Sequence, residues 1–152
     1  MSYTEKECRK DTIKHINEVR RSLSRFIVEL EERGRVHDKS KLESPELEIF
    51  TEYTPKLAKS TYGSNEYQEN LKGMQKALRH HYKNNSHHPE HYENGIRGMN
   101  LLDVVEMFCD WYAAVKRHDD GDIYKSIEIN QRRFNFSDDL KAIFENSIKF
   151  LD

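Results

Sequence analysis

No run of apolar residues in this sequence approaches the roughly eighteen that a membrane-spanning helix needs, which excludes a bilayer anchor of that kind. The first ten residues are polar and mixed in charge, without the apolar centre of a secretory signal. Cysteine is nearly missing. Cys8 and Cys109 cannot build a disulfide framework, so a reducing cytoplasm is the expected location. Charge of one sign is also missing: 25 Lys and Arg against 27 Asp and Glu leave a net charge of −2 over 152 residues. That balance removes any global argument for a polymeric nucleic acid or an anionic membrane as partner. Proline and glycine are scarce, three and six, so the chain has few obligatory breaks, and almost no segment alternates apolar and polar residues as a half-buried strand would. What remains is a polar chain with 34% charged and 36% hydrophobic residues whose apolar side chains recur at helical spacing. It also has eight histidines, five of them between His80 and His91.

The spacing predicts a single all-α domain over residues 1–152, a compact bundle of five to seven helices. A first helix over 4–33 carries Ile13, Ile16, Val19, Leu23, Phe26, Ile27 and Leu30 on one stripe, with Gly34 as its stop. Ser44-Pro45-Glu46 reads as the start of a second helix, with a capping hydroxyl, proline at the first position and an acid at the positive dipole end. That helix is expected to end near Thr54-Pro55. A turn through Tyr62-Gly63-Ser64 leads to a third helix over 65–83, and residues 84–100 read as an ordered loop rich in Asn, Gly and Pro. Asn100 with Asp103 begins a fourth helix over 101–117, apolar nearly all round and therefore expected at the centre. His118-Asp119-Asp120-Gly121 breaks it. A shorter helix with Ile123, Ile127 and Ile129 follows, and Ser137 caps a last one. The apolar faces of the first and last helices also offer a surface for a homo-oligomer.

Helical spacing sorts the histidines. His15 lies on the stripe of the first helix, four residues before Val19. His81 continues the series Tyr67, Leu71, Met74, Leu78, while His80 points about 100° away, toward the rim. On the fourth helix Asp103, Glu106 and Asp110 form a carboxylate column, and buried carboxylates need a compensating charge or metal. An adjacent pair such as His37-Asp38 presents nitrogen and oxygen to one ion, the mixture favoured by Mn, Fe, Co, Ni and Zn. Lys41, three residues later, is placed to reach a phosphate held there. Bland roles compete at each position. Asp38 can cap a loop, Asp110 can pair with an arginine, and Asp103 suits a helix-start cap. Cys109 suits core filling, and the His87-His88-Pro89-Glu90-His91 loop suits solvated surface.

The order His15, His37-Asp38, Asp110 resembles the H…HD…D pattern of the HD superfamily of metal-dependent phosphohydrolases. His37-Asp38-Lys39-Ser40-Lys41 looks like that superfamily's HD-x-G-K variant with serine for glycine. Together with HHPEHY and EMFCDW it is similar to a small bacterial and phage family of HD-like proteins. The resemblance spans residues 14–117. It implies an HD-like helical bundle that hydrolyses a small phosphate ester, a nucleotide first among candidates, with one or two divalent ions (Mn, Fe, Co, Ni, Zn or Mg) per chain. His15, His37, Asp38 and Asp110 would hold the first ion, with His81 and His88 as further ligands. Asp38 or Glu106 would position or deprotonate water, and Lys41 would offset phosphoryl charge. Tyr82, Asn84, His87 and His91, with Asn85 and Tyr92, would face the substrate, although spacing leaves open which of His87, His88 and His91 turns inward. The same scaffold also allows a silent module that binds a phosphorylated ligand, or a di-iron oxygenase. The sequence lacks the GYP signature of cyclic-di-nucleotide phosphodiesterases.

Overall fold

The computed structural model describes residues 3–61, 64–117 and 121–151, and these are all-α. Six α-helices follow in order: α1 (Glu5–Val36), α2 (Glu46–Lys59), α3 (Asn65–Asn84), α4 (Leu101–Val115), α5 (Ile123–Phe134) and α6 (Asp138–Ser147). Short 3-10 turns occupy Lys39–Leu42, Pro89–His91, Gly95–Gly98 and Ile148–Phe150. Among the described residues no helix is long and apolar enough to cross a membrane. The chain divides into two units, residues 1–36 and 37–152.

The first unit is α1. Its apolar stripe forms as expected, but no described residue of the helix is buried, and Ile13, Leu23 and Ile27 are each more than half exposed. Periodicity identifies which face of a helix is apolar; it does not say what covers that face. Gly34 does not stop the helix, which runs two residues further, because a single glycine costs only about 1 kcal/mol inside a helix. The stop falls at His37-Asp38, where Asp38 takes a left-handed conformation (φ 54°) that aspartate tolerates better than most residues.

The second unit has its own core. Met107, Phe108 and Trp111 of α4 meet Ile123 and Ile127 of α5, Phe136, Phe144 of α6 and Ile148. The Trp111 ring stacks on Phe136 and meets Phe144 edge-on at 5.4 Å. Helix α4 is less enclosed than its composition implied, since Leu101, Val105 and Cys109 are exposed. Its start follows the sequence closely. The Asn100 side chain accepts from the Leu102 and Asp103 amides, and Asp103 closes the capping box on the Asn100 amide. Ser64, Asp122 and Ser137 cap α3, α5 and α6 in the same manner.

Helix α2 departs most from expectation. Pro45, not Ser44, holds the capping position, and no side chain caps the helix there. Glu46 is therefore the first helical residue, and it is completely buried. Pro55 lies inside α2 and does not end it, because it removes one amide donor while the flanking turns persist. Helices α2 and α3 pack side by side, and the turn at residues 37–42 lies against both. The expected turn at Tyr62-Gly63 and break at His118-Asp119-Asp120 lie outside the described residues.

Candidate metal centre

Three parts of the second unit converge on one spot: the turn after α1, the end of α3 with its following loop, and α4. The turn brings His37 and Asp38, α3 brings His81, the loop brings His87 and His88, and α4 brings Glu106 and Asp110. Ligand atoms of Asp38, His81, His87 and His88 all lie within 4.8 Å of one another. The same holds for His37, Asp38 and Asp110, and for His37, His87 and Glu106.

Asp38 joins the first two groups through its two oxygens. Oδ1 lies 3.3 Å from His81 Nε2 and 3.4 Å from His87 Nε2. Oδ2 accepts from Lys41 Nζ at 2.6 Å and stands 3.6 Å from His37 Nε2. His37 Nε2 is also 3.6 Å from Asp110 Oδ1. The third group is closed differently, since Glu106 Oε1 accepts from His37 Nδ1 at 2.8 Å and stands 3.1 Å from His87 Nδ1. One carboxylate oxygen thus orients two imidazoles.

A second carboxylate does the same on the other side. Glu46 Oε2 accepts from His81 Nδ1 at 2.8 Å, and Oε1 accepts from His80 Nδ1 at 2.7 Å. A carboxylate can only accept, so each of these rings carries its proton on Nδ1 and turns the Nε2 lone pair the other way. For His81 that direction is the cluster, where His88 Nε2 lies 2.9 Å away. Asn85 supports the turn by donating to the Ser40 hydroxyl and the His81 carbonyl, each at 2.8 Å.

Two buried atoms in the centre, Asp38 Oδ1 and His87 Nε2, have no hydrogen-bond partner among the described residues. With neutral imidazoles these are acceptors facing one another across 3.3–3.4 Å, costly in a buried site unless a positive charge, a proton or a metal ion, lies between them. Three imidazole nitrogens and one carboxylate oxygen suit a divalent transition ion, and the two carboxylates behind them supply the usual outer support for ligating histidines. The donor set therefore fits a metal.

The electrostatics describe the same site carrying protons. The carboxylates of Asp110 and Glu106 push His37 up to about 10, so it is an imidazolium at neutral pH. Burial raises Asp38 and Asp110, but His87 and Lys41 outweigh it for Asp38 and His37 for Asp110, leaving both carboxyls below their usual range. Burial, with His87 and His81 nearby, drives His88 down to about 3 and keeps it neutral. Burial also lowers His81 despite Asp38 and Glu46, while His87 is raised because Asp38 and Glu106 overcome its burial.

Of the residues expected at the centre, His37, Asp38, His81, His88 and Asp110 come together. His15 lies on α1, in the first unit, where it is exposed. His87, expected to face substrate, is 1% exposed and stands among the candidate ligands. Asn84 and His91 are exposed, with their side chains donating to the His80 and Tyr82 carbonyls. Tyr92 donates to Asp103, which remains the cap of α4. Lys41 and Tyr82 line a cavity of about 620 Å³ beside the cluster. Glu106, for which a base, a support behind the ligands and a structural ion pair were all open, accepts from His37 Nδ1 and stands beside His87 Nδ1. Glu46 was missed. It heads the face that continues through Ile49, Phe50, Tyr53 and Leu57, and an acid at the head of an apolar stripe is the signal that could have marked it.

Comparison with known proteins gives a family for this arrangement. The chain belongs to the family described as "Family of unknown function (DUF5662)", whose model matches residues 4–150. No curated protein and no solved structure matches the chain.

Proposed function

We propose that this chain is a metal-dependent phosphohydrolase of the HD type, acting on a small phosphate ester. The observation that carries the reading is the convergence of Asp38 Oδ1 and His87 Nε2, both buried without a partner, with the Nε2 atoms of His81 and His88. The adjacent group of His37, Asp38 and Asp110 supports a second ion sharing Asp38. Within the second unit, His37-Asp38 followed by Asp110 keeps most of the HD pattern. A divalent ion would polarise the phosphoryl group and make nearby water more acidic. The chain's own residues do the rest. Glu46 and Glu106 hold the histidine rings in one tautomer, and Lys41 leaves Asp38 to meet phosphoryl oxygens as charge develops. The HD resemblance leaves the organic part of the ester open, with a nucleotide as one candidate, and the scarcity of cysteine favours the cytoplasm as the location. The exposed stripe of α1 favours a homo-oligomer, which light scattering would detect.

The test is elemental analysis after anaerobic purification, together with phosphate release in Mn, Co, Ni and Mg. Bound metal with metal-dependent phosphate release is expected, and His37→Ala and Asp110→Ala should each lose metal while keeping helical content. Full metal stoichiometry in both variants would overturn the reading. Two irons with oxygen consumption would replace it with an oxygenase, and tight nucleotide binding without turnover would replace it with a binding module.

A further inference from the structure

Beside the metal-capable cluster, helices α2 and α3 line the cavity of about 620 Å³, which is open to solvent on one side and of a size typical of sites for small molecules. Its walls come mainly from Leu47 and Phe50 of α2 and Met74, Leu78 and Tyr82 of α3. His81 and His88, two of the candidate ligands, line it where it meets the cluster. Among the described residues, Lys41 and Arg117 supply its charge, and no carboxylate or side-chain amide lines it. Three hydroxyls, of Thr51, Thr54 and Tyr82, are present.

We infer that this cavity receives the organic part of a phosphate monoester, and that this part is an apolar alkyl or aryl group. The inference rests on the hydrolase reading. The phosphate end of the substrate belongs at His81, His88 and Lys41, where cationic and metal-binding groups lie. The remainder then extends between Phe50 and Leu78, where it exchanges water for apolar side chains. A nucleoside would bring several polar edges to a mainly apolar wall with three hydroxyls to meet them, and unpaired polar groups are penalised there. A cationic leaving group would face Lys41 and Arg117 with no acid among the described lining residues to hold it. In the reaction, a water oxygen forms the new bond to phosphorus and the bond from phosphorus to the ester oxygen breaks. The alcohol leaves with a proton, and inorganic phosphate is released.

The test compares monoesters of primary alcohols, so that leaving-group reactivity is similar: hexyl phosphate, benzyl phosphate, glycerol 3-phosphate, phosphocholine and adenosine 5′-monophosphate. Phosphate release is measured with the full chain in Mn. Hexyl and benzyl phosphate should exceed the other three in kcat/KM by at least about tenfold, the scale of a few methylenes in a fitted pocket. Phe50→Ala should raise KM for benzyl phosphate more than it changes kcat. Equal rates across the panel, or a preference for adenosine monophosphate, would overturn the inference and leave the hydrolase reading standing. If no ester is cleaved, the hydrolase reading fails, and binding to the Mn-loaded chain decides the cavity. Benzylphosphonate should then bind about tenfold more tightly than methylphosphonate, and equal affinities would overturn the inference.

Discussion

Replacing Glu46 tests how the centre is built without touching any candidate ligand. Its carboxylate is 0% exposed and accepts from His81 Nδ1 at 2.8 Å and His80 Nδ1 at 2.7 Å. In Glu46→Ala, His81 loses the acceptor that pins its proton to Nδ1, so the proton can move to Nε2 and occupy the lone pair aimed at the cluster. Loss of such an outer partner lowers metal affinity by about 10- to 100-fold, or roughly 1.4–2.8 kcal/mol. Glu46→Gln is more subtle. Its amide oxygen can still accept from one ring, while its NH2 must face a ring that has become an acceptor. The half-exposed His80 can change tautomer more cheaply than the buried His81, so Gln should retain the bond to His81 and sit near the tenfold end. The assay is calorimetric titration of Mn or Co into both variants, with thermal unfolding in chelator as a check on folding. Wild-type affinity in Glu46→Ala, from a protein that unfolds cooperatively, would refute the reasoning.

Other consequences follow from the same geometry. His37, held up to about 10 by Asp110 and Glu106, must give up a proton to become a ligand. Metal affinity should therefore climb by about a factor of ten per pH unit between pH 7 and 9, and a flat profile would contradict its role. Without metal the sign is opposite. The folded-state value exceeds the ordinary 6.5, so the stability contributed by charged His37 is fully present below pH 6.5 and fades as pH rises toward 10, which urea unfolding in chelator will show. Asp103, fully buried, accepts from Ser86 Oγ and Tyr92 Oη at 2.7 Å and from the Asn100 amide at 3.0 Å. Asp103→Ala removes a cap and strands those donors, at a cost of about 2–4 kcal/mol in urea unfolding. A loss below about 1 kcal/mol would show that the box is dispensable.

How far the sequence foretold this structure depends on the kind of signal. Helix starts were legible where a side chain was read as the cap, as at Asn100 and Ser137, because the bond is local. Helix ends were not, because Gly34 and Pro55 weaken a helix by amounts that its other turns absorb. The inward turn of His81 followed from its register on α3. Which loop histidine entered the cluster did not, because residues 85–92 have no fixed period; the chain path past Asn85 buries His87 and leaves His91 exposed. Glu46 escaped notice because an acid at a helix start has an ordinary explanation in the dipole, and only its burial reveals a second one.

Anomalous diffraction from cobalt-soaked crystals of the full chain tests the metal centre most directly. A peak is expected at about 2.0–2.2 Å from Asp38 Oδ1 and from the Nε2 atoms of His81, His87 and His88. The peak should vanish in His87→Ala. No peak at saturating cobalt, or one bound elsewhere with these four side chains unligated, would contradict a metal centre at this site.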